Sequence, residues 1–283
     1  MAPGEPARRT VIDDQGTPLV LAHSPIRRVV SLVPSLTDAI AVSAPGLLVG
    51  ATDWCSHPAG LDVVRIGGTK NPDTTRIAAL RPDLVVANEE ENRAPDLEAL
   101  RAAGIPVWVT EVRTLDQAFR SLDRLLTLLT LLNKDSGLPR PQWLDDARRA
   151  WAAVTPLPGH PSGRPRRAVV PVWRRPWMVV GRDTFAGDLL RRLGVEQLYA
   201  DHDERYPAIP IDQLRASGAD LVVLPDEPYR FTGTDGPEAF PGLPAALVSG
   251  RHLTWYGPSL TEAATLLRQQ LQAPLPPPVP EQG

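Results

Sequence analysis

The sequence predicts an α/β fold: two α/β lobes with parallel-type sheets, joined by a helical backbone. Three observations carry this reading. Short apolar runs alternate with helical patterns at both ends of the chain, as in sheets built from parallel units. A helical stretch of about 40 residues separates the two alternating regions. The first region contains ALRPDLVVANEE and the second QLRASGADLVVLPDE, one helix–strand–acidic-turn unit echoed in each half. The echo suggests two similar lobes facing a shared cleft. The 283 residues suit two domains, divided as an N-terminal lobe over 1–113, a helical spine over 114–155, a C-terminal lobe over 156–273 and a Pro-rich tail over 274–283.

In order along the chain, residues 10–22 read as a hairpin, two β-rich runs around the turn signal Asp13, Asp14, Gln15 and Gly16. RRVVSLV (27–33) is a buried strand feeding a helix that Ser35 or Thr37 can cap. LLVGATD (47–53) is a strand, and residues 54–73 are a loop. A short helix over 74–80 stops at Arg81 and Pro82. Strand 83–88, helix 95–103 closed by Gly104, and strand 107–110 follow. Residues 114–132 form an amphipathic helix, with Phe119, Leu122, Leu126 and Leu129 at helical spacing, and a second helix covers 142–154. In the second half, 167–173 and 177–181 are strands, 184–193 and 211–217 helices, 220–225 and 245–249 strands, and 259–271 the closing helix. The tail PLPPPVP (274–280) reads as extended and disordered.

Composition narrows the function. The net charge of −3 argues against nucleic acid and against an anionic membrane surface as partners. All but two of the 30 basic residues are arginine, a bias that follows from a GC-rich genome rather than from function. The single cysteine, Cys55, excludes an internal disulfide. No run approaches the ~20 apolar residues that span a bilayer, so membrane insertion is not expected. Residues 1–12 show no apolar core of a signal peptide and no lipobox cysteine. The expectation is therefore a cytoplasmic location, with export through a signal outside this sequence as the alternative. Enzyme signatures are missing: there is no GxSxG, P-loop GxxxxGK[ST], HExxH or GxGxxG, and no catalytic residue is assigned.

The succession of hairpin, VVSLVPSLTDAI, LLVGATDWCSHP, GGTKNP, IAALRPDLVVANEEENR, helical spine and DLVVLPDEPY resembles the substrate-binding proteins of iron–siderophore, heme and cobalamin uptake, the helical-backbone class. Within that class the chain is most similar to cobalamin-binding members, over about residues 10–271. The resemblance implies a class III periplasmic-binding-protein fold with ligand in an interlobe cleft, no catalysis, and delivery to an ABC permease. It implies a monomer that binds one small molecule, a corrinoid or a ferric chelate, with no covalent cofactor. Docking would use a carboxylate from each lobe: Asp212 stands near that position in the second lobe, and in the first Thr75 stands there, with Asp73 two residues away. The alternative is a cytosolic protein of the same fold repurposed for cofactor storage, delivery or a biosynthetic step. A third reading is an interaction protein with a degenerate cleft.

Ligands of open α/β sheets bind outside the carboxyl ends of the strands. That rule selects Ser35, Trp54, Lys70, Asn71, Asn88, Glu89, Glu90 and Glu91 in the first lobe. In the second it selects Trp173, Trp177, Glu227, Tyr229, Trp255 and Tyr256, with Tyr206 from the loop 201–207. Trp54, Trp173, Trp177 and Trp255 offer flat stacking area and an N–H donor, or else pack internally. Glu89, Glu90 and Glu91 repel one another unless a cation answers them, or else form a solvated helix entry. Ser35 can imitate a nucleophile, but capping explains it more simply. Tyr229 and Glu227 can act as an acid–base pair, but a ligand-contacting loop explains them more simply. Cys55 and His57 form a CxH pair with no further ligands nearby, and His23, His160, His202 and His252 are scattered, so no protein-held metal is expected.

Overall fold

The buried runs of the sequence become the strands of two separate parallel sheets. The structure is a computed structural model, and it describes residues 9–21, 25–133 and 139–277. The sequence readings at residues 1–8, His23 and the last residues of the tail lie outside the described residues. The chain divides into two compact units. The first holds the chain up to Val112 with Asp116–Asp145 and Tyr256–Pro258; the second holds Arg113–Leu115, Asp146–Trp255 and the chain from Ser259 onward.

The first unit begins with an antiparallel hairpin, β1 (Arg9–Ile12) and β2 (Pro18–Leu21). Its turn is closed by Asp13, whose Oδ1 accepts the N–H groups of Gln15 at 3.0 Å and Thr17 at 2.8 Å. The main sheet follows: β3 (Val29–Ser31), α1 (Pro34–Ser43), β4 (Leu48–Ala51) and β5 (Val64–Arg65). A second small hairpin comes next, β6 (Gly67–Gly68) with β7 (Asn71–Pro72). Then come α2 (Thr74–Ala79), β8 (Leu84–Asn88), α3 (Ala94–Ala102) and β9 (Val107–Thr110). The five strands lie in the order β5-β4-β3-β8-β9, every pair parallel. Residues of β3, β8 and β9 are all buried, as parallel strands covered on both faces must be. Val30, Val85, Ile77, Leu97 and Leu100 share one apolar cluster on this sheet.

Two helices follow, α4 (Leu115–Leu132) and α5 (Gln142–Ala152). The periodic residues Phe119, Leu122, Leu126 and Leu129 of α4 are all buried, so the 3.6-residue period marks the packed stripe.

The second unit contains β10 (Arg166–Val169), a hairpin of β11 (Pro171–Arg174) and β12 (Trp177–Val179), α6 (Phe185–Arg192) and β13 (Val195–Gln197). It continues with α7 (Ile211–Arg215), β14 (Leu221–Pro225), β15 (Ala245–Val248), α8 (Gly250–Thr254) and α9 (Leu260–Gln272). The parallel sheet runs β13-β10-β14-β15. Thr184 caps α6 by accepting the Gly187 N–H at 3.3 Å. Gly194 ends the same segment at φ 87°, and a Cβ there would stand 2.8 Å from the Leu157 nitrogen, so only glycine fits.

Four local expectations are corrected. Residues 54–73 are not wholly loop, because β5 joins the sheet edge and β6 and β7 pair. The run 167–173 is two strands: it enters the parallel sheet as β10, then leaves it at Val170 to form the β11–β12 hairpin. Neither Ser35 nor Thr37 caps α1. Pro34 starts the helix inside its first turn, and the Thr37 hydroxyl donates back to the Val33 carbonyl at 3.0 Å. The tail is not free at its start, since Leu275 exchanges two backbone hydrogen bonds with Ala245 on the edge strand β15, at 2.8 and 3.1 Å.

Asp220, just before β14, accepts both terminal nitrogens of Arg164 at 2.6 Å and the Arg167 N–H at 2.9 Å. The Arg164 guanidinium, above all, holds its carboxyl down at about 2 despite partial desolvation. Because the folded value lies below the ordinary one, this support is present above about pH 4 and is lost as pH falls toward 2. In urea unfolding, Asp220→Asn should be less stable than the parent near pH 6, and the gap should close by about pH 2.

Candidate functional site

In each sheet the chain reverses its direction of travel once. In the first unit, successive crossovers step from β3 to β4 and β5, then return to β8 and on to β9, so the switch lies between β3 and β8. In the second, β10 leads to β13, and the chain returns to β14 and β15, so the switch lies between β10 and β14. At such a point neighbouring loops leave in opposite directions and open a crevice at the strand ends. The predicted site residues concentrate at these two places.

The first crevice is bounded by the β3–α1 turn and by residues 89–91 after β8. Asn88 holds this acidic loop from beneath. Its Oδ1 accepts the N–H groups of Glu90 at 3.0 Å and Glu91 at 3.2 Å, and its Nδ2 donates to the Thr110 carbonyl at 3.1 Å. Asn92 closes the loop. Its Oδ1 accepts the Asn88 N–H at 2.9 Å, and its Nδ2 donates to the carbonyls of Leu32 at 3.3 Å and Thr69 at 2.9 Å, spanning the crevice. The Lys70 ammonium, in the β6–β7 turn, donates to the Glu90 carbonyl. Asn71 beside it is exposed, and Trp54 stands open at 68% exposure with its indole nitrogen near Gly68.

Tyr256 belongs to this same unit and is buried. Its hydroxyl and that of Thr110 share a hydrogen bond of 2.9 Å, and its N–H donates to the Ser35 Oγ at 3.3 Å. Burial pushes the phenol well above its usual range, and the charges of Glu91, Glu90 and Asp14 push the same way. Glu91 is reached by water yet crowded by protein. That loss of solvent raises its carboxyl, Glu90 adds to the rise, and Lys70 opposes it. Ser35, Asn88 and Tyr256 thus hold the crevice together from inside, whereas Trp54, Lys70, Asn71 and residues 89–91 form its solvent face.

In the second unit, Trp173 on β11 is 44% exposed and meets Tyr229 edge-on, with centroids 5.7 Å apart and planes at 80°. Tyr229 leans on Phe231 at 4.7 Å, and the Tyr229 N–H donates to the Val172 carbonyl at 3.3 Å. Trp177 is not with them. It stacks on Phe231 at 6.0 Å and meets Phe240 edge-on at 5.4 Å, packed against the core cluster of this sheet. Tyr206 sits half-buried in the segment whose backbone pairs with the outer edge of β12, where Pro207 accepts from Val179 at 3.1 Å. Glu227 follows β14. Partial burial and neighbouring Asp226 raise its carboxyl, opposed by a hydrogen bond from Trp255 and by Arg251 and His252. Trp255 is buried, with the Arg251 guanidinium 5.8 Å above its ring. The close approach needs Gly250, where a Cβ would fall 2.6 Å from the Glu227 nitrogen.

Other candidates separate from these crevices. Cys55 is buried between the hydroxyls of Thr37 at 3.0 Å and Thr52 at 3.2 Å, and burial pushes its thiol up, which makes it a poor metal ligand. His57 pairs with Ser56 at 3.1 Å, away from the Cys55 thiol's own partners. Among the described residues, no three His, Cys, Asp or Glu side chains gather as a metal site, and no helix is long and apolar enough to cross a membrane. Asp73 caps α2, accepting the Arg76 N–H at 2.9 Å, and Asp212 lies in the first turn of α7; both are exposed.

Residues 29–235 match the family model described as periplasmic binding protein. The chain belongs to that family. Periplasmic binding proteins carry ligands rather than transform them, and nothing in the comparisons favours the reading of a repurposed cytosolic protein. The chain is 25% identical over 272 residues to the vitamin B12-binding protein of Yersinia pestis (strain Pestoides F), covering 93% of this chain and 92% of that protein. Among solved structures, the periplasmic vitamin B12 binding protein of Vibrio cholerae matches with a TM-score of 0.67 at 18% identity, over 88% of this chain and 97% of that one. A periplasmic heme binding protein from Pseudomonas aeruginosa matches with a TM-score of 0.65 at 22% identity, over 90% and 96%. The fold is that of the class III periplasmic binding proteins.

Sequence reasoning did not single out Asn92 or Thr110, which hold the acidic loop and Tyr256. The first had a signal: two asparagines bracketing an acidic run are the residues that bond to nearby backbone in turns. Asn92→Ala would leave one N–H and two carbonyls without their partner, and urea unfolding should show a loss of about 1–3 kcal/mol.

Proposed function

We propose that this binding protein takes a corrinoid or an uncharged ferric chelate from outside the cytoplasmic membrane and delivers it to an ABC permease. The observation that carries the reading is, in the second unit, exposed Trp173 paired edge-on with Tyr229, two residues after Glu227, and, in the first unit, exposed Trp54 together with the acidic run Glu89, Glu90 and Glu91 after β8. Exposed rings suit a flat, largely apolar macrocycle. Carboxylates beside the rings repel a ligand with an anionic rim and accept one rimmed by amides, which donate hydrogen bonds to them. Heme, with its propionates, fits this lining less well than a corrinoid. The named relatives add support, since the vitamin B12-binding proteins align over most of the chain.

The family's setting supports a periplasmic location over the cytoplasmic one expected from residues 1–12; fractionation of the native host decides it. We read the protein as a monomer, checked by light scattering with and without ligand.

Tryptophan-fluorescence titration with cyanocobalamin, dicyanocobinamide, ferrioxamine and hemin tests the ligand class. The corrinoids should bind at least about tenfold more tightly than hemin, a difference of ~1.4 kcal/mol. Tight hemin binding with no corrinoid binding would overturn the assignment. Trp54→Ala and Trp173→Ala should each weaken corrinoid binding roughly tenfold while shifting stability by no more than about 0.5 kcal/mol for the exposed Trp54.

For the permease, Asp73 and Asp212 are the proposed contacts. Asp73→Arg and Asp212→Arg should leave ligand affinity unchanged and together reduce corrinoid uptake by whole cells several-fold. Unchanged uptake would remove these two residues from the docking surface.

A further inference from the structure

Trp173, the most exposed aromatic of the second unit, is held by a ring of side chains that closes on its own neighbour in β11. Its ring meets Tyr229 edge-on at 5.7 Å. The Tyr229 hydroxyl donates to Asp235 Oδ2 at 2.8 Å. The other oxygen of Asp235 pairs with the guanidinium of Arg174, the residue next to Trp173. Arg174 also pairs with Glu238 and lies 5.4 Å over the face of Trp177, which stacks on Phe231. Successive strand residues point to opposite faces, so Trp173 and Arg174 grip one loop at two points. The loop is wound to receive them. Asp235 N–H donates to Thr232 Oγ1 at 3.0 Å, and Thr232 N–H donates to the Asp235 carbonyl at 2.9 Å.

We propose that Arg174 and Asp235 are positioning residues that lock Trp173 and Tyr229 into a preformed aromatic platform for a flat ligand. The proposal rests on the binding function above and adds residues that touch no ligand. An isolated surface ion pair contributes little to stability and needs no tyrosine on the same carboxylate. Here the carboxylate is shared, one oxygen for the phenol and one for the guanidinium. The shared acceptor turns two mobile rings into one fixed surface before ligand arrives. Binding then avoids the entropy of ordering those side chains, a saving worth roughly three- to tenfold in affinity.

The test uses Arg174→Gln, Asp235→Ala, Arg174→Lys and Tyr229→Phe in the whole protein. Two readouts are taken: near-ultraviolet circular dichroism of the ligand-free protein, which senses the fixed Trp173–Tyr229 pair, and the dissociation constant for dicyanocobinamide. Arg174→Gln and Asp235→Ala should flatten the dichroism band and weaken binding roughly three- to tenfold, and Arg174→Lys should restore part of both. In the double variant Arg174→Gln with Tyr229→Phe, the loss should be less than the sum of the single losses, because both act through Asp235. An unchanged band and unchanged affinity in Arg174→Gln, or losses that simply add, would overturn the platform. If the parent protein binds none of the probes, the ligand assignment fails on its own. The dichroism of the free protein then still decides whether the ring orders the aromatics.

Discussion

A parallel strand is joined to its neighbour only through a crossover, and the side to which each crossover steps decides where a sheet leaves its strand ends uncovered. Both sheets of this protein step first one way and then the other, so each has one crevice at its carboxyl edge, beside β3 and β8 in one and beside β10 and β14 in the other. The placement of the candidate residues in each unit depends on this. The acidic loop and Trp54 belong to the ends of β8 and β4, and Trp173 and Glu227 to the segments that follow β10 and β14. The buried strands make these edges stiff, since most of their backbone groups are paired within the sheet.

What the topology opens, a small number of hydrogen bonds then shapes. Three consecutive carboxylates are an unfavourable arrangement, and it is the amide side chains of Asn88 and Asn92 that hold the backbone of this loop in place. Each asparagine satisfies several buried backbone groups at once. Removing one therefore costs the desolvation of all of them, and this couples the crevice to the stability of the sheet below. Tyr256 plays a corresponding role between the end of β9 and the start of α1, joined to Thr110 and Ser35. Burial above all raises the Tyr256 phenol and the Glu91 carboxyl, and the neighbouring acidic charges add to both.

The second unit solves the same task with rings instead of amides. Trp177, Phe231 and Phe240 fill the core beneath, and Trp173 and Tyr229 stand at its edge. The first unit thus presents an anionic loop and the second an aromatic pair. A shared fold says little about ligand: solved structures that match at 18–22% identity are named for vitamin B12 in one case and heme in another.

The fold class, the longer elements and the family were legible in the sequence, whereas β13 and α8 were not. Burial on both faces leaves apolar runs at 83–88 and 220–225, and the helical period of 114–132 is local, so each survives without knowledge of partners. The strand-end rule pointed to loops at the carboxyl ends of both sheets. What it could not sort was which residues of those loops face water. Ser35, Asn88 and Tyr256 were chosen for the same reason as Trp54 and Trp173, yet the first three are buried and bonded to groups 22 to 221 positions away. The small strands in 54–73 and the break at Val170 were also hidden, because two-residue pairings carry no period. Sequence alone determined the local elements and their chemistry, since those depend on neighbours along the chain. Only the tertiary structure decided which side chains hold the crevices and which line them, because that depends on contacts between segments far apart in sequence.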